Sequence, residues 1–219
     1  MGKSELELRM DVVGVMRGWV GLSRANGSHQ PILDVYNSQE KLPRGYKVQP
    51  NDAYCATTVS AAYIKAGLSE LCPIECSCSQ MIGKAKQRHI WTEADDYTPA
   101  PADIIFYDWQ DSGQGDNKGN PDHVGVVECC KAGVITVIEG NKGGVVGRRT
   151  IPVDGKYIRG YCTPVFTRKA KNETEYVTVA KDVIAGKYGN GEQRREKLAA
   201  AGYNYKRVQR LVNILLLKG

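Results

Sequence analysis

Seven cysteines and three histidines supply the candidate nucleophiles and bases of this 219-residue chain, and their surroundings differ. Cys55 stands in "NDAYCATTVSAAYIKAG" (51–67), where Asn51 and Asp52 are good helix caps. Val59, Ala62, Tyr63 and Ala66 recur at helical spacing, and Gly67 follows as a stop. Cys55 is therefore expected in a first helical turn, where unpaired N–H groups and the positive end of the helix dipole favour thiolate over thiol. The same residue could instead be a small buried apolar group, the usual state of free cysteine. A nucleophilic reading needs a base, and the base needs a group that fixes its tautomer. His123 follows the turn "GNPD" and opens the run "HVGVVEC", whereas His29 and His89 lie among loop and charged residues and are expected at the surface. Glu139 and Asn141 end the next run two residues apart, hence on one face of a strand. If the two runs pair as a hairpin, both side chains approach His123.

Elements able to hold these residues can be read along the chain. Val12, Met16, Trp19 and Val20 mark one face of an N-terminal amphipathic helix. A polar segment rich in Gly and Pro (23–50) reads as loop, and a short helix is expected around Met81 to Arg88. Residues 103–107, 123–129, 133–140 and 157–166 are short β-branched runs separated by turns, which predicts antiparallel strands. Helix first and sheet second gives an α+β domain with the helix on one sheet face. Residues 167–175 have no apolar period and read as a linker. Behind them, Val179, Val183 and Ile184 suit one short helix and 192–201 a second. Val208, Leu211, Val212 and Leu215 stripe a third, so residues 176–219 should form a small three-helix bundle.

Composition narrows the function. No run of eighteen apolar residues exists to span a membrane, and charges interrupt the N-terminus where a secretory signal would be apolar. The chain is accordingly expected to be made in a cytoplasm. The odd, irregularly spaced cysteines are unlike a disulfide framework. Cys72, Cys76 and Cys78 with His89 would be the nearest approach to a zinc site, but they lack the paired two-residue spacings of structural zinc, so reduced loop thiols and no metal are expected. The net charge of +6 divides unevenly, with 12 Lys and Arg against 5 Asp and Glu in residues 168–219 and 18 against 19 before them. A basic tail suits an anionic partner, whether nucleic acid, an anionic membrane or a wall polymer, or it is a solvated helical face.

The segments "NDAYCATTVSAAYIKAG", "ADIIFYDWQDSG", "GNPDHVGVVE" and "ITVIEGN" together resemble the CHAP family of cysteine- and histidine-dependent amidohydrolases and peptidases, over roughly residues 5 to 166. The resemblance implies a papain-like, NlpC-type catalytic domain (1–166). It gives Cys55 as nucleophile, His123 as general base, Glu139 as orienting acid and Asn141 as an assisting polar residue. Two departures are visible: Ala102 stands where the family usually has Gly, and the loop before Cys55 lacks the Asp cluster with which some relatives bind calcium. The tail "VIAGKYGNGEQRREKLAAAGYNYKRVQRLVNILL" resembles the cell-wall-binding repeat at the ends of some phage lysozymes. Asn190, Arg194, Tyr203 and Tyr205 are its candidate ligand-binding residues, although the tyrosines would equally fill the core.

Taken together, the resemblances imply a modular, phage-lysin-like hydrolase whose partner is bacterial peptidoglycan, with neither nucleic acid nor membrane as partner and no cofactor. A cysteine mechanism would cleave an amide, as endopeptidase or N-acetylmuramoyl-L-alanine amidase, after release to the wall. The competing expectations are a host or conjugative-element wall-remodelling enzyme of the same chemistry, and a wall-binding protein without activity. Oligomeric state and scissile bond are not legible.

Overall fold

A computed structural model describes residues 3–94, 96–113, 117–170 and 174–218. The chain divides into two compact units, Asp11–Val165 and Met1–Met10 together with Phe166–Gly219. Four helices precede the sheet: α1 (Glu5–Trp19), α2 (Gln30–Asn37), α3 (Cys55–Lys65) and α4 (Cys78–Gln87). Six strands follow, β1 (Trp91–Thr92), β2 (Ile104–Tyr107), β3 (His123–Lys131), β4 (Val134–Lys142), β5 (Val145–Pro152) and β6 (Ile158–Cys162). They form one antiparallel sheet in the order β1-β6-β2-β3-β4-β5, which bears out the α+β expectation.

The sheet core is built by alternation. Ile105, Tyr107, Val127, Ile135, Val137 and Tyr161 are buried together, contributed by four neighbouring strands. The hairpin of β3 and β4 pairs Val126 with Ile138 and Val127 with Val137. Helix α3 packs against both of these strands, and nine of its residues from Cys55 to Tyr63 are buried. A run of Ala, Thr and Ser suits so close an approach, because small side chains let helix and sheet backbones come near.

Gly140 permits that approach, and Gly125 permits close side-chain packing within the sheet. A Cβ on Gly140 of β4 would lie 2.0 Å from Thr58 Oγ1, and one on Gly125 of β3 would lie 2.9 Å from Glu139 Cγ. Thr58 is itself held, since its hydroxyl donates to the Tyr54 carbonyl at 2.6 Å. Gly140→Ala should therefore push α3 off the sheet and destabilise the protein by about 1–3 kcal/mol, the usual cost of overpacking. Denaturant midpoints of the two proteins measure this, and equal midpoints would mean that the helix has room to spare.

The third helix begins differently from the sequence expectation. Tyr54, not Asn51 or Asp52, occupies the N-cap position, and no side chain caps the helix. Asp52 instead accepts from Tyr46 Oη at 2.8 Å and from the Gln49 N–H at 2.7 Å, closing the entering loop. Within the segment read as loop, Ile32, Leu33 and Tyr36 form the buried face of α2. His29, expected at the surface, is only 2% exposed. Its Nε2 meets the Pro50 carbonyl at 3.0 Å and its ring leans on Tyr54 at 4.9 Å, so it packs the segment that leads into α3.

The tail contains α5 (Thr174–Ile184), α6 (Gly191–Ala200) and α7 (Tyr205–Lys218). Val179, Val183, Leu198, Val208, Leu211 and Val212 are buried, as the stripes require. Ile184 is 44% exposed and Ile214, rather than Leu215, completes the buried face of α7. Of the linker read at 167–175, residues 171–173 lie outside the described residues.

Candidate active site

Cys55 is the first residue of α3. An uncapped N-terminus leaves first-turn N–H groups pointing along the helix axis, where they favour negative charge on the Cys55 sulfur. His123 opens β3 and Glu139 lies in β4, so the hairpin brings them together as expected from the sequence. His123 Nε2 is 3.2 Å from Glu139 Oε2. With Nε2 engaged there, Nδ1 is the ring atom left to face Cys55. Cys55 and His123 are nearly buried, at 7% and 8% exposure, and Glu139 is fully buried.

Asn141 makes no side-chain hydrogen bond to His123 or Glu139. Its backbone adopts φ 56°, which breaks strand alternation just where the register of β4 against β5 shifts. Its side-chain Oδ1 is buried without a hydrogen-bond partner. The same-face argument therefore holds for Glu139 and fails locally at Asn141.

Several residues around the site carry no sequence signal of their own. Arg149 on β5 donates from Nε to Glu139 Oε1 at 2.6 Å, so both carboxylate oxygens are occupied. Its guanidinium also lies 4.8 Å from the Trp109 ring centroid and 5.4 Å from that of Tyr107. Tyr107 and Trp109 stack at 5.0 Å, and both rings stand about one ring-width from His123, at 6.0 and 6.1 Å. Trp109 is 37% exposed and so presents an aromatic face to solvent beside the imidazole. A hollow of about 270 Å³ lined by Arg44, Tyr46, Val48, Asp52, Ala53 and Cys76 adjoins the segment entering α3.

Electrostatics shift Cys55 and His123 in opposite directions. A hydrogen bond from the Cys78 thiol, Sγ to Sγ 3.8 Å, holds Cys55 well below the ordinary thiol range despite burial, with His123 adding to the effect. Burial would lower His123, but its hydrogen bonds to Cys55 and Glu139 and their charges raise it to about 9. Burial acts to raise Glu139, and the bonds from His123 and Arg149 overcome it and hold the carboxyl below its usual range. Both shifts favour thiolate and imidazolium over thiol and imidazole. Among the described residues, no group of three or more His, Cys, Asp or Glu could hold a metal ion.

In the tail, the four residues singled out as ligand-binding are not gathered into one network. Arg194 donates to Asn190 Oδ1 at 3.0 Å, to the Gly189 carbonyl at 3.1 Å and to Gln209 at 2.9 Å, which ties α6 to α7. Tyr203 donates to Glu175 at 2.8 Å, and the Arg195 guanidinium lies 5.0 Å from the Tyr205 ring. A hollow of about 530 Å³ in the same unit is lined instead by Tyr176, Asn204, Lys206, Arg207 and Arg210 among others.

Residues 45–141 match the family model described as CHAP domain, and residues 178–216 match that described as CW_7 repeat. No curated protein matches the chain. Among solved structures the chain is similar to "The crystal structure of Ly7917" at 18% identity, over 71% of this chain and 62% of that chain, with a TM-score of 0.35. The chain thus spans less than two thirds of that protein, and a likeness of this degree carries no argument.

Proposed function

We propose, from the premise that the chain carries a CHAP domain followed by a CW_7 cell-wall-binding repeat, that this peptidoglycan-hydrolase kind of protein works by cysteine catalysis on an amide of the wall peptide. The observation that carries the reading is that Cys55 opens α3 where His123, 3.2 Å from Glu139, acts on its thiol and helps to hold it well below the ordinary range.

The reaction follows from the charges. Cys55, already a thiolate, attacks the amide carbonyl, and the first-turn N–H groups of α3 receive the developing oxyanion. His123, as imidazolium, protonates the leaving amine and then, neutral, takes a proton from the water that hydrolyses the thioester. Glu139 keeps Nε2 protonated and the ring turned toward the sulfur, and Arg149 keeps Glu139 ionised and aimed. The tail concentrates the enzyme on its polymer. The role that fits is that of a phage or prophage lysin, made in the bacterial cytoplasm and acting on the wall after release. No helix among the described residues is long and apolar enough to cross a membrane.

Muropeptide mass spectrometry tests the bond broken. New free amino groups on glycan-linked peptides identify an endopeptidase and free lactyl groups an amidase; walls left without either product overturn the reading. A pH dependence follows as well. Because the imidazolium donates the proton in acylation, kcat/KM on a soluble muropeptide should fall as pH rises through about 9, where His123 loses its charge. Glu139→Gln removes a charge that raises His123, so this alkaline limb should move to lower pH. A limb unmoved by that substitution would dissociate it from His123.

A further inference from the structure

Two helices in the catalytic unit begin with a cysteine, and their starts meet. Cys55 is the first residue of α3 and Cys78 the first of α4, and their sulfurs are 3.8 Å apart. The meeting is enforced by the loop between them. Ser60 of α3 donates to the Glu75 carbonyl at 2.6 Å and accepts from its N–H at 2.9 Å. The Glu75 carboxylate, 1% exposed, is in turn paired with Arg44 at 3.2 Å and Lys84 at 3.0 Å. Ser77 caps α4, its hydroxyl accepting from the Gln80 N–H at 3.5 Å, which fixes where that helix starts.

We propose that Cys55 and Cys78 are an oxidation site, a dithiol that a two-electron oxidant such as hydrogen peroxide closes into a disulfide, disarming the enzyme reversibly. The inference rests on reading Cys55 as the nucleophile. A disulfide needs about 2.05 Å between sulfurs, so closure asks for an approach of about 1.8 Å, a movement on the scale of a thiol rotating about its own Cα–Cβ bond. Held neighbours react as though at very high concentration, so the second thiol outcompetes any in solution.

The chemistry balances. The Cys55 thiolate attacks one peroxide oxygen, breaking the O–O bond and forming a sulfenic acid; the departing hydroxide takes the His123 proton and becomes water. The Cys78 sulfur then attacks the Cys55 sulfur, the S–S bond forms, and the second hydroxide leaves with the Cys78 proton as water. Two electrons pass from the two sulfurs to the peroxide. Without Cys78 the sulfenic acid proceeds to sulfinic acid, which thiol reductants do not reverse.

The test uses the full chain, treated with hydrogen peroxide, quenched, alkylated and digested without reduction. The expected result is a peptide pair joining Cys55 to Cys78, an intact mass lower by two hydrogens, and wall lysis that is lost and then regained with dithiothreitol. Cys78→Ser and Cys78→Ala, each compared with its own reduced activity, should regain about tenfold less, because their Cys55 is carried past the reversible stage. Cys55 found bridged to another cysteine, found as sulfinic acid in the parent protein, or rescued equally well in both variants would overturn the proposal. The mapping does not depend on lysis, so a failure of the hydrolase reading leaves this result separately legible.

Discussion

Replacing Cys55 with alanine is expected to remove wall lysis almost completely, by at least about 10⁴-fold, because nothing else in the site can form the thioester that divides the reaction into two accessible steps. The fold should survive, since alanine occupies the first turn of α3 without strain and only a small buried side chain is shortened. The other thiols serve as internal controls. Burial pushes the Cys72 and Cys162 thiols up, against the lowering effect of nearby Arg88, so neither is an available thiolate. Cys130 is raised by burial and its neighbour Cys129. Single replacement of Cys72, Cys76, Cys129, Cys130 or Cys162 should leave lysis within a few-fold of the parent when corrected for folded protein. Lysis by a folded Cys55→Ala protein, or its abolition by a chelator as completely as by thiol alkylation, would sink the cysteine mechanism.

What the sequence disclosed here follows from which signals are local. The meeting of His123 with Glu139 and the place of Cys55 were legible because Cys55 and His123 open their elements, and because β3 and β4 are joined by a short turn that makes their pairing almost obligatory. Arg149 was not. It lies on β5, an edge strand whose residues 147–150 read Gly-Arg-Arg-Thr, so the apolar alternation that marks a strand is missing. That strand is held by ion pairs instead: Arg148 reaches Glu128 at 2.6 Å and Arg149 reaches Glu139 at 2.6 Å, both across the sheet and invisible to periodicity. Helix α2 was hidden for a related reason, since Gly27 and Pro31 suggest a loop while Ile32, Leu33 and Tyr36 carry a helical face that spans only residues 32–36. The contact of Cys55 with Cys78 depends on a loop anchored by Ser60 and Glu75, residues whose partnership no spacing announces.

The departure at Ala102 shows the same division between local and tertiary causes. Its φ of 67° is the left-handed conformation a glycine would adopt freely, so the chain keeps the turn and accepts a strained residue. The tertiary contacts that hold it there are visible: its N–H donates to the Val127 carbonyl at 2.8 Å, and its carbonyl accepts from the Tyr63 hydroxyl on α3. The turn thereby links the helix that carries the sulfur to the strand that carries the imidazole.

The four candidate catalytic side chains should not respond alike to removal, and the spread is the sharper test of their roles. His123→Ala should approach the loss seen for Cys55, because both the partner of the thiolate and the acid for the leaving amine disappear together. Glu139→Gln keeps the shape and a hydrogen-bonding group at Nε2 but removes the charge that favours imidazolium, so the loss should be intermediate, roughly 10²- to 10³-fold, with the nucleophile and base still in place. Arg149 touches only Glu139 among the reacting line, and Arg149→Met should fall below the parent by less than Glu139→Gln does. Asn141→Ala should cost least. Its Oδ1 makes no hydrogen bond to the imidazole, so substitution removes a buried unpartnered polar atom and no contact in the chain from sulfur to carboxylate. The residue's φ of 56° gives that variant its own stability control, because asparagine tolerates the left-handed region better than alanine does. Single-turnover rates on a soluble muropeptide, normalised to folded protein by near-ultraviolet dichroism, would rank these variants against Cys55→Ala. Equal and complete loss in every variant would contradict a division between groups that react and groups that position, and an Asn141→Ala loss as large as that of His123→Ala would place the amide in the reacting line after all.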